Sequence, residues 1–250
     1  MKKAITLFLV LIVFTTLFAC SVNGVTNEDY TYSAKSHIHS LDIKIGAADF
    51  TIERADTLYV KSNLKYLSIS EENGVLKLEE DVDFGVTYTD SFLTLYLPEN
   101  IVFDSIIIAT GAANFTADRL DAKSLELTLG AGNVQLSELF VTSDAVIGGG
   151  AGRISIDGGS IRNLTLEMGV GELKLTSALL GNSALTFGIG QSRVTILGNK
   201  DDYSIDIEKG IVSITIDECS AEDLVHNARG ENHINIQGGI GSVALNFKTF

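Results

Sequence analysis

The sequence predicts an all-β protein, a parallel β-solenoid of roughly 20-residue coils with an antiparallel β insert near the N-terminus. Apolar and polar residues alternate with a period of two in many short segments, which is typical of strands with one buried face. These segments recur every 19 to 21 residues, and such a period indicates stacked coils. An antiparallel sandwich would show the same alternation, but it has no reason to keep a 20-residue register.

The N-terminus carries the signals of an exported lipoprotein. Two lysines precede an apolar run at residues 4–19, which is shorter than the roughly 18 residues that a membrane span needs. Residues 17–20 read Leu-Phe-Ala-Cys, which resembles a bacterial lipobox. We therefore predict a lipoprotein signal peptide at residues 1–19 and lipidation of Cys20, with an ordinary signal peptide as the alternative. Acylated Cys20 would anchor the protein to a membrane.

The rest of the chain divides into a tether and one domain. Residues 20–40, with the lipidated cysteine at their start, are polar and aperiodic and predict a tether. Residues 41–250 form the β-solenoid domain. Within it, residues 58–98 break the period and predict an antiparallel insert or cap, because Asn73-Gly74 is a strong hairpin signal. A cap would cover the open strand edge at one end of the solenoid.

The period assigns the apolar residues to two ladders of stacked side chains. Residues 125–132 and 164–171 each consist of an alternating strand and a small-residue corner, and a second strand follows each corner. The ladder before the corner is predicted to contain Ile108, Leu127, Ile147, Leu166, Leu185, Ile205 and Val225. The ladder after the corner is predicted to contain Phe115, Val134, Ile154, Leu173, Val194, Ile214 and Ile234.

The glycine-rich corners at residues 148–152 and 188–190 could be mistaken for phosphate-binding loops. Such a loop must lead into the N-terminus of a helix, whereas a β pattern follows each of these corners. The corner of a tight coil needs a positive φ or a close backbone approach, which glycine adopts at low cost. We therefore interpret the corners as structural.

The charge of the chain excludes nucleic acid as a partner. The formal net charge is −14, and it is −16 without the first 19 residues, which hold two lysines and no acidic residue. Binding phosphates requires a basic face, which this sequence does not offer. Asp81 and Asp83 lie in an acidic stretch whose spacing fits no calcium-binding loop. We expect no metal and no cofactor.

Four features occur together between Leu41 and Phe247. They are the unit Ile-Lys-Ile-Gly-Ala-Ala-Asp-Phe-Thr-Ile at residues 43–52, the Asn73-Gly74 hairpin, the segment Leu-Tyr-Leu-Pro at residues 95–98, and the Gly-x-Gly corners. The combination resembles a bacterial β-strand-repeat lipoprotein family of candidate adhesins, a domain family of unknown function. The resemblance implies adhesion and supplies no catalytic residues. Some family members lie near envelope-stress signalling systems, which implies a second role.

The predicted function is that of a lipid-anchored binding, adhesin-like or structural module in the cell envelope. Its expected partners are the membrane, through Cys20, and an unknown protein or glycan ligand. The alternative is an envelope-stress sensor accessory protein that binds a membrane partner through an apolar patch. Residues 139–141 and 178–180 are candidate patches, although the pattern favours them as a third side of the core.

A polysaccharide-active enzyme on a β-helix is the least favoured of the three classes. Glycan-cleaving sites usually combine stacking aromatic rings with paired carboxylates, and this chain contains no tryptophan. Asp118, Arg119 and Asp121 form the only tight acid/base group in the sequence, and they lie at a predicted turn. We expect the protein not to be an enzyme.

Overall fold

Strands make up 78% of the chain that the structure describes. The computed structural model describes residues 28–81, 90–208, 210–221, 225–226 and 230–249. Its strands are hydrogen-bonded into one seventeen-stranded sheet, and the described residues contain no α-helix, only a 3-10 turn at Lys200–Asp202. The predicted all-β class is confirmed. The strands are β1 (Tyr30–Ser33), β2 (Ser40–Ile45), β3 (Asp49–Ala55), β4 (Tyr59–Ser62), β5 (Leu67–Glu72), β6 (Val75–Glu80), β7 (Phe92–Pro98), β8 (Phe103–Ile156), β9 (Gly159–Arg162), β10 (Leu164–Leu180), β11 (Asn182–Leu197), β12 (Tyr203–Glu208), β13 (Ile211–Ile216), β14 (Cys219–Ser220), β15 (Val225–His226), β16 (Asn232–Gln237) and β17 (Ile240–Lys248).

Successive repeats pair in parallel in the middle of the chain. β10 lies between β8 and β11, and Leu166 pairs with Ile147 on one side and with Leu185 on the other. All three side chains are buried, so aliphatic groups of neighbouring repeats stack at the spacing of adjacent strands, about 4.8 Å. Ile147, Leu166 and Leu185 are therefore adjacent in the stack, as the period of about 20 residues predicts.

The strands of these repeats have one buried and one exposed face. Leu166 is buried and Thr165 is exposed, because successive side chains of a strand point to opposite sides of the sheet. The same contrast holds in the preceding repeat, where Ile147 is buried and Val146 is 49% exposed. Val146 pairs with Thr165 and Ala151 pairs with Val170, so the register is the same on both sides of the three glycines after Ile147.

A third set of strands completes each of the central repeats. Residues 139–141 pair in parallel with β9, and β9 pairs in turn with residues 178–180 of β10. Leu139, Val141 and Leu179 are buried. The two apolar segments considered as partner-binding patches therefore form a third side of the core, as their pattern favoured.

The C-terminal repeats are stacked in a different order from their order in the sequence. β16 and β17, the last two strands, pair with β11, and β12 and β13 pair with the opposite edges of β16 and β17. Ile205 consequently pairs with Ile234, and its predicted position next to Leu185 is wrong. Ile234 belongs to the ladder before the corner and not after it, because Leu245 is the residue that pairs with Val194.

Short antiparallel strands pair with the outermost C-terminal repeat. β14 pairs with β13, and β15 pairs with β12. Val225 was predicted to extend the parallel ladder, but it pairs with Asp206 in the antiparallel direction. An open parallel edge is a site of aggregation, and these strands occupy part of it while the C-terminal strand lies inside the stack.

The insert at residues 58–98 is only partly antiparallel, which corrects the prediction. β5 and β6 form the expected hairpin around Asn73-Gly74, both with positive φ, and β4 runs antiparallel to β7. However, β6 and β7 pair in parallel with β2 and β3 and add a further repeat outside the first one. Their alternating apolar residues drive this arrangement, because the inward leucines of both strands are buried.

The tether predicted at residues 20–40 is shorter in the structure. β1 pairs with β4, and Ile38 is buried. The Glu71 carboxylate accepts hydrogen bonds of 2.8 Å from the backbone amides of Lys35 and Ser36. The Ser36 hydroxyl and these amides lower the pKa of Glu71 to about 2, because hydrogen bonds to the ionised form favour it. The polar residues of this segment thus hold the chain against the hairpin.

The predicted signal peptide and Cys20 lie outside the described residues, and so does Asp83. Lipidation of Cys20 therefore stays a prediction. In the part of the chain that the structure describes, no helix has the length and apolarity required to cross a membrane.

Candidate functional site

A polar groove of about 550 Å³ crosses the outer face of the strands that follow the corner. Thr51 of β3 pairs with Thr116 of β8, and their hydroxyl oxygens lie 3.2 Å apart. Parallel stacking therefore brings together residues that are 65 positions apart in the sequence. The polar groove is lined mainly by Thr51, Glu53, Arg54, Thr116, Asp118, Gln135 and Ser137.

A tyrosine pair, Tyr59 and Tyr96, borders the groove. The two rings are stacked with 4.2 Å between their centroids and 9° between their planes. Tyr96 pairs with Glu53 across β7 and β3, so the aromatic rings and the groove belong to the same row of side chains. The Lys61 ammonium lies 5.5 Å from the centroid of Tyr96, within the range of a cation–π interaction. An aromatic surface thus adjoins a floor of hydroxyls, amides and carboxylates.

The groove offers both hydrogen-bond donors and acceptors at neutral pH. Burial raises the pKa of Tyr96, and the charge of Glu53 raises it further, so the phenol stays protonated and can donate. Asp118 is exposed in the groove and makes no ion pair with any described residue. Its carboxylate oxygens remain available as acceptors.

Asp118 lies apart from the acid/base group that its neighbours form. The Arg119 guanidinium donates two hydrogen bonds of 2.7 Å to the Asp121 carboxylate, and Nη1 of Arg119 lies 3.2 Å from Oε2 of Glu138. Nη2 of Arg54 lies 3.7 Å from Oδ2 of Asp121, whose side chain is only 13% exposed. Since these charges neutralise one another, Arg119 and Asp121 form a structural ion-pair network at the end of the groove.

The corner glycines are required by packing. Gly171 has a φ of +145°, and a Cβ placed there would collide with the carbonyl oxygen of Gly152 in the preceding repeat. Gly190 has a φ of +147°, and a Cβ placed there would likewise collide with the carbonyl oxygen of Gly171. The backbones of successive corners are in direct contact, so the interpretation of these corners as structural holds, and a strand follows each of them.

Other reactive side chains are scattered. Among the described residues, no three histidine, cysteine, aspartate or glutamate side chains are grouped so that they could hold a metal ion. Cys219 is exposed in β14 and forms no disulfide with a described residue. Asp81 is exposed at the end of the described hairpin.

Reasoning from the sequence did not find the polar groove. Its residues are ordinary outward positions of strands, and no local motif contains them. The available signal was the register of the repeat. Once Phe50 is aligned with Phe115, the outward residues Thr51 and Thr116 fall side by side, and Glu53 falls opposite Asp118.

The model of the Toastrack DUF4097 family matches residues 31–238, which is most of the chain. The chain belongs to the Toastrack DUF4097 family. The predicted resemblance to a family of candidate adhesins of unknown function is thereby confirmed. No curated protein matches this Toastrack chain at a significant level.

Several solved structures resemble this Toastrack chain, and each is matched over nearly its whole length. A candidate cell adhesion protein from Clostridium sporogenes is 12% identical with a TM-score of 0.41, covering 88% of this chain and 99% of its own. A candidate adhesin from Bacteroides fragilis is 11% identical with a TM-score of 0.45, covering 87% and 97%. A candidate adhesin from Parabacteroides distasonis is 15% identical with a TM-score of 0.41, covering 90% and 98%.

Proposed function

We propose that this Toastrack protein is a lipid-anchored, extracytoplasmic β-solenoid that binds a glycan in its polar groove and catalyses no reaction. The observation that carries the proposal is the tyrosine pair beside Glu53 and Asp118. The parallel register of Leu166 with Ile147 and Leu185 supports the solenoid. The lipobox-like segment that ends at Cys20 supports the anchor and the location in the cell envelope.

A sugar ring fits this combination of groups. A pyranose presents a face of C–H groups, which packs on an aromatic ring, and a rim of hydroxyls, which require donors and acceptors. Tyr96 supplies the ring, and the row of Glu53, Asp118 and Ser137 supplies polar groups on neighbouring strands about 4.8 Å apart. Since the groove crosses three repeats, it fits a chain of sugars better than a single ring.

The alternative of a sensor accessory protein loses its original support. It required an exposed apolar patch at residues 139–141 or 178–180, and Leu139, Val141 and Leu179 of these segments are buried in the core. An enzymatic role loses the support of the group formed by Asp118, Arg119 and Asp121, because Arg119 and Asp121 neutralise each other.

Replacing Tyr96 by alanine is expected to weaken glycan binding about tenfold, since an aromatic contact contributes roughly 1–1.5 kcal/mol. The probe is a set of bacterial cell-wall polysaccharide fragments, screened on an array and then titrated by calorimetry. Glu53→Gln should also weaken binding while keeping the shape of the groove. Tyr66→Ala is the matched control, because Tyr66 is an exposed tyrosine outside the groove.

Two results would contradict the glycan proposal. One is the failure of the wild-type protein to bind any polysaccharide on the array. The other is unchanged affinity in Tyr96→Ala and Glu53→Gln, provided that circular dichroism shows both variants to be folded.

Cys20→Ala is expected to abolish lipid anchoring, because the thiol of Cys20 is the predicted site of the diacylglyceryl group. Mass spectrometry of the exported protein should identify Cys20 as an acylated N-terminus. In fractionation the variant should become extractable from the membrane by washing without detergent, or it should remain unprocessed. An unmodified N-terminus downstream of Cys20 in the native host would refute the anchor.

A further inference from the structure

An aliphatic ridge runs along the corner of the C-terminal repeats. It consists of Val170, Ile189, Ile240 and Ile211, one from each of four adjacent repeats, which pair with one another in that order. All four side chains are at least half exposed, and Ile211 is 82% exposed. Monomeric proteins commonly expose single aliphatic residues, but a contiguous row of them marks a contact surface.

The residues that flank Ile189 and Ile240, in the middle of the ridge, are polar and uncharged, although the chain as a whole is strongly acidic. This part of the surface can leave water without desolvating a charge. Charged residues flank both ends. Glu208 lies at the Ile211 end, where Gln237 approaches its carboxylate to 3.4 Å, and Glu167 and Glu172 lie at the Val170 end, where Glu172 forms an ion pair with Arg153. The neutral flanking residues are Gln191, Ser242 and Ser213 on one side and Thr186 and Gln237 on the other.

We propose that the aliphatic ridge docks this protein on the surface of a lipid bilayer. The ridge stands at a corner between two strand faces and is therefore convex. Two convex ridges of two copies would touch along a line and fall short of the roughly 1,000 Å² that a stable interface needs. A bilayer is deformable and accepts a row of aliphatic side chains without a complementary pocket.

The chain that precedes the described residues makes this geometry feasible, a step that rests on the proposed anchor at Cys20. β1, the first strand, lies eight strand spacings from Ile189 along the stack, or roughly 38 Å. The residues between Cys20 and Glu28 extend over at most about 28 Å. A stack anchored at one end by the lipid can lie down and place the ridge on the same membrane. The polar groove lies on a different part of the stack, toward the N-terminal end.

The test uses the chain without its predicted signal peptide and with Cys20→Ser, so that no lipid contributes to binding. We expect it to sediment with phosphatidylcholine vesicles, and to bind less well when anionic phosphatidylglycerol is added, because the chain carries a net charge of −16. The triple variant Ile189→Thr, Ile240→Thr and Ile211→Thr should bind at least tenfold more weakly. The matched control is Val102→Thr with Val146→Thr, two exposed valines away from the ridge.

Each possible outcome supports or refutes the ridge proposal. Loss of vesicle binding in the triple variant only, with unchanged thermal stability, supports it. Absence of wild-type binding, or equal binding by the triple variant, refutes it. A wild-type dimer in sedimentation velocity that the triple variant abolishes also refutes it, because the ridge would then bind a second copy. Titrating the same variants with polysaccharide tests glycan binding by the groove independently of vesicle binding by the ridge. If one of the two proposals is refuted, the other can still be tested.

Discussion

Leu166→Ala is expected to lower the free energy of unfolding by about 2–5 kcal/mol, the range for large-to-small changes in a packed core. Leu166 is fully buried between Ile147 and Leu185, so its removal leaves a cavity that neighbouring strands cannot fill without losing their register. Thr165→Ala, one residue away on the exposed face, should change stability by no more than about 0.5 kcal/mol. Denaturant midpoints of the two variants measure the difference.

Introducing a charge at the same two positions should give a larger difference in stability. Leu166→Asp should prevent folding or nearly so, because an unpaired buried carboxylate must be desolvated or protonated, whereas Thr165→Asp should be tolerated. The pair Ile147 and Val146 should repeat the contrast, since Val146 is exposed. Equal sensitivity within either pair would mean that both faces of the strand are buried, and the two-faced ladder would be wrong.

Gly171→Ala is expected to destabilise the protein by about 2–4 kcal/mol, which combines backbone strain with overpacking. Its φ of +145° is a conformation that residues with a Cβ rarely adopt, and the added methyl group would collide with the carbonyl oxygen of Gly152. Because the obstacle is backbone of the neighbouring repeat, no side-chain rotation relieves it. The two repeats would have to separate at the corner.

Gly148→Ala provides the matched control for the corner. No atom lies within 4 Å of the position that its Cβ would occupy, and its φ is outside the left-handed region. We expect a neutral or slightly stabilising change there, since alanine restricts the unfolded chain more than glycine does. Thermal denaturation of both variants decides the point. Similar melting temperatures would show that the corner can open and that the contact between repeats is not a constraint.

The polar groove could be predicted only in part. The outward orientation of Thr51 and Asp118 follows from alternation within each strand, which is a local property. That Tyr96 adjoins the groove depends on the pairing of β7 with β3, and the sequence placed β7 in an antiparallel insert. The aliphatic ridge was missed for a related reason. Three of its members appear singly between glycines and Ile211 follows one, so they become a row only when four repeats are stacked.

The sequence by itself determined the class of fold and the local units, because alternation, period and corner glycines act within one repeat or between identical neighbours. Ile147, Leu166 and Leu185 could be aligned for this reason. The order of the outer repeats was decided by the tertiary structure. Any alternating aliphatic strand can stack on any other, so the period alone does not say whether Leu185 meets Ile205 or Ile236. Because β16 and β17 lie inside the stack, the short antiparallel strands β14 and β15 pair with its edge. The need to cover an open strand edge is a property of the whole molecule and not of any single repeat.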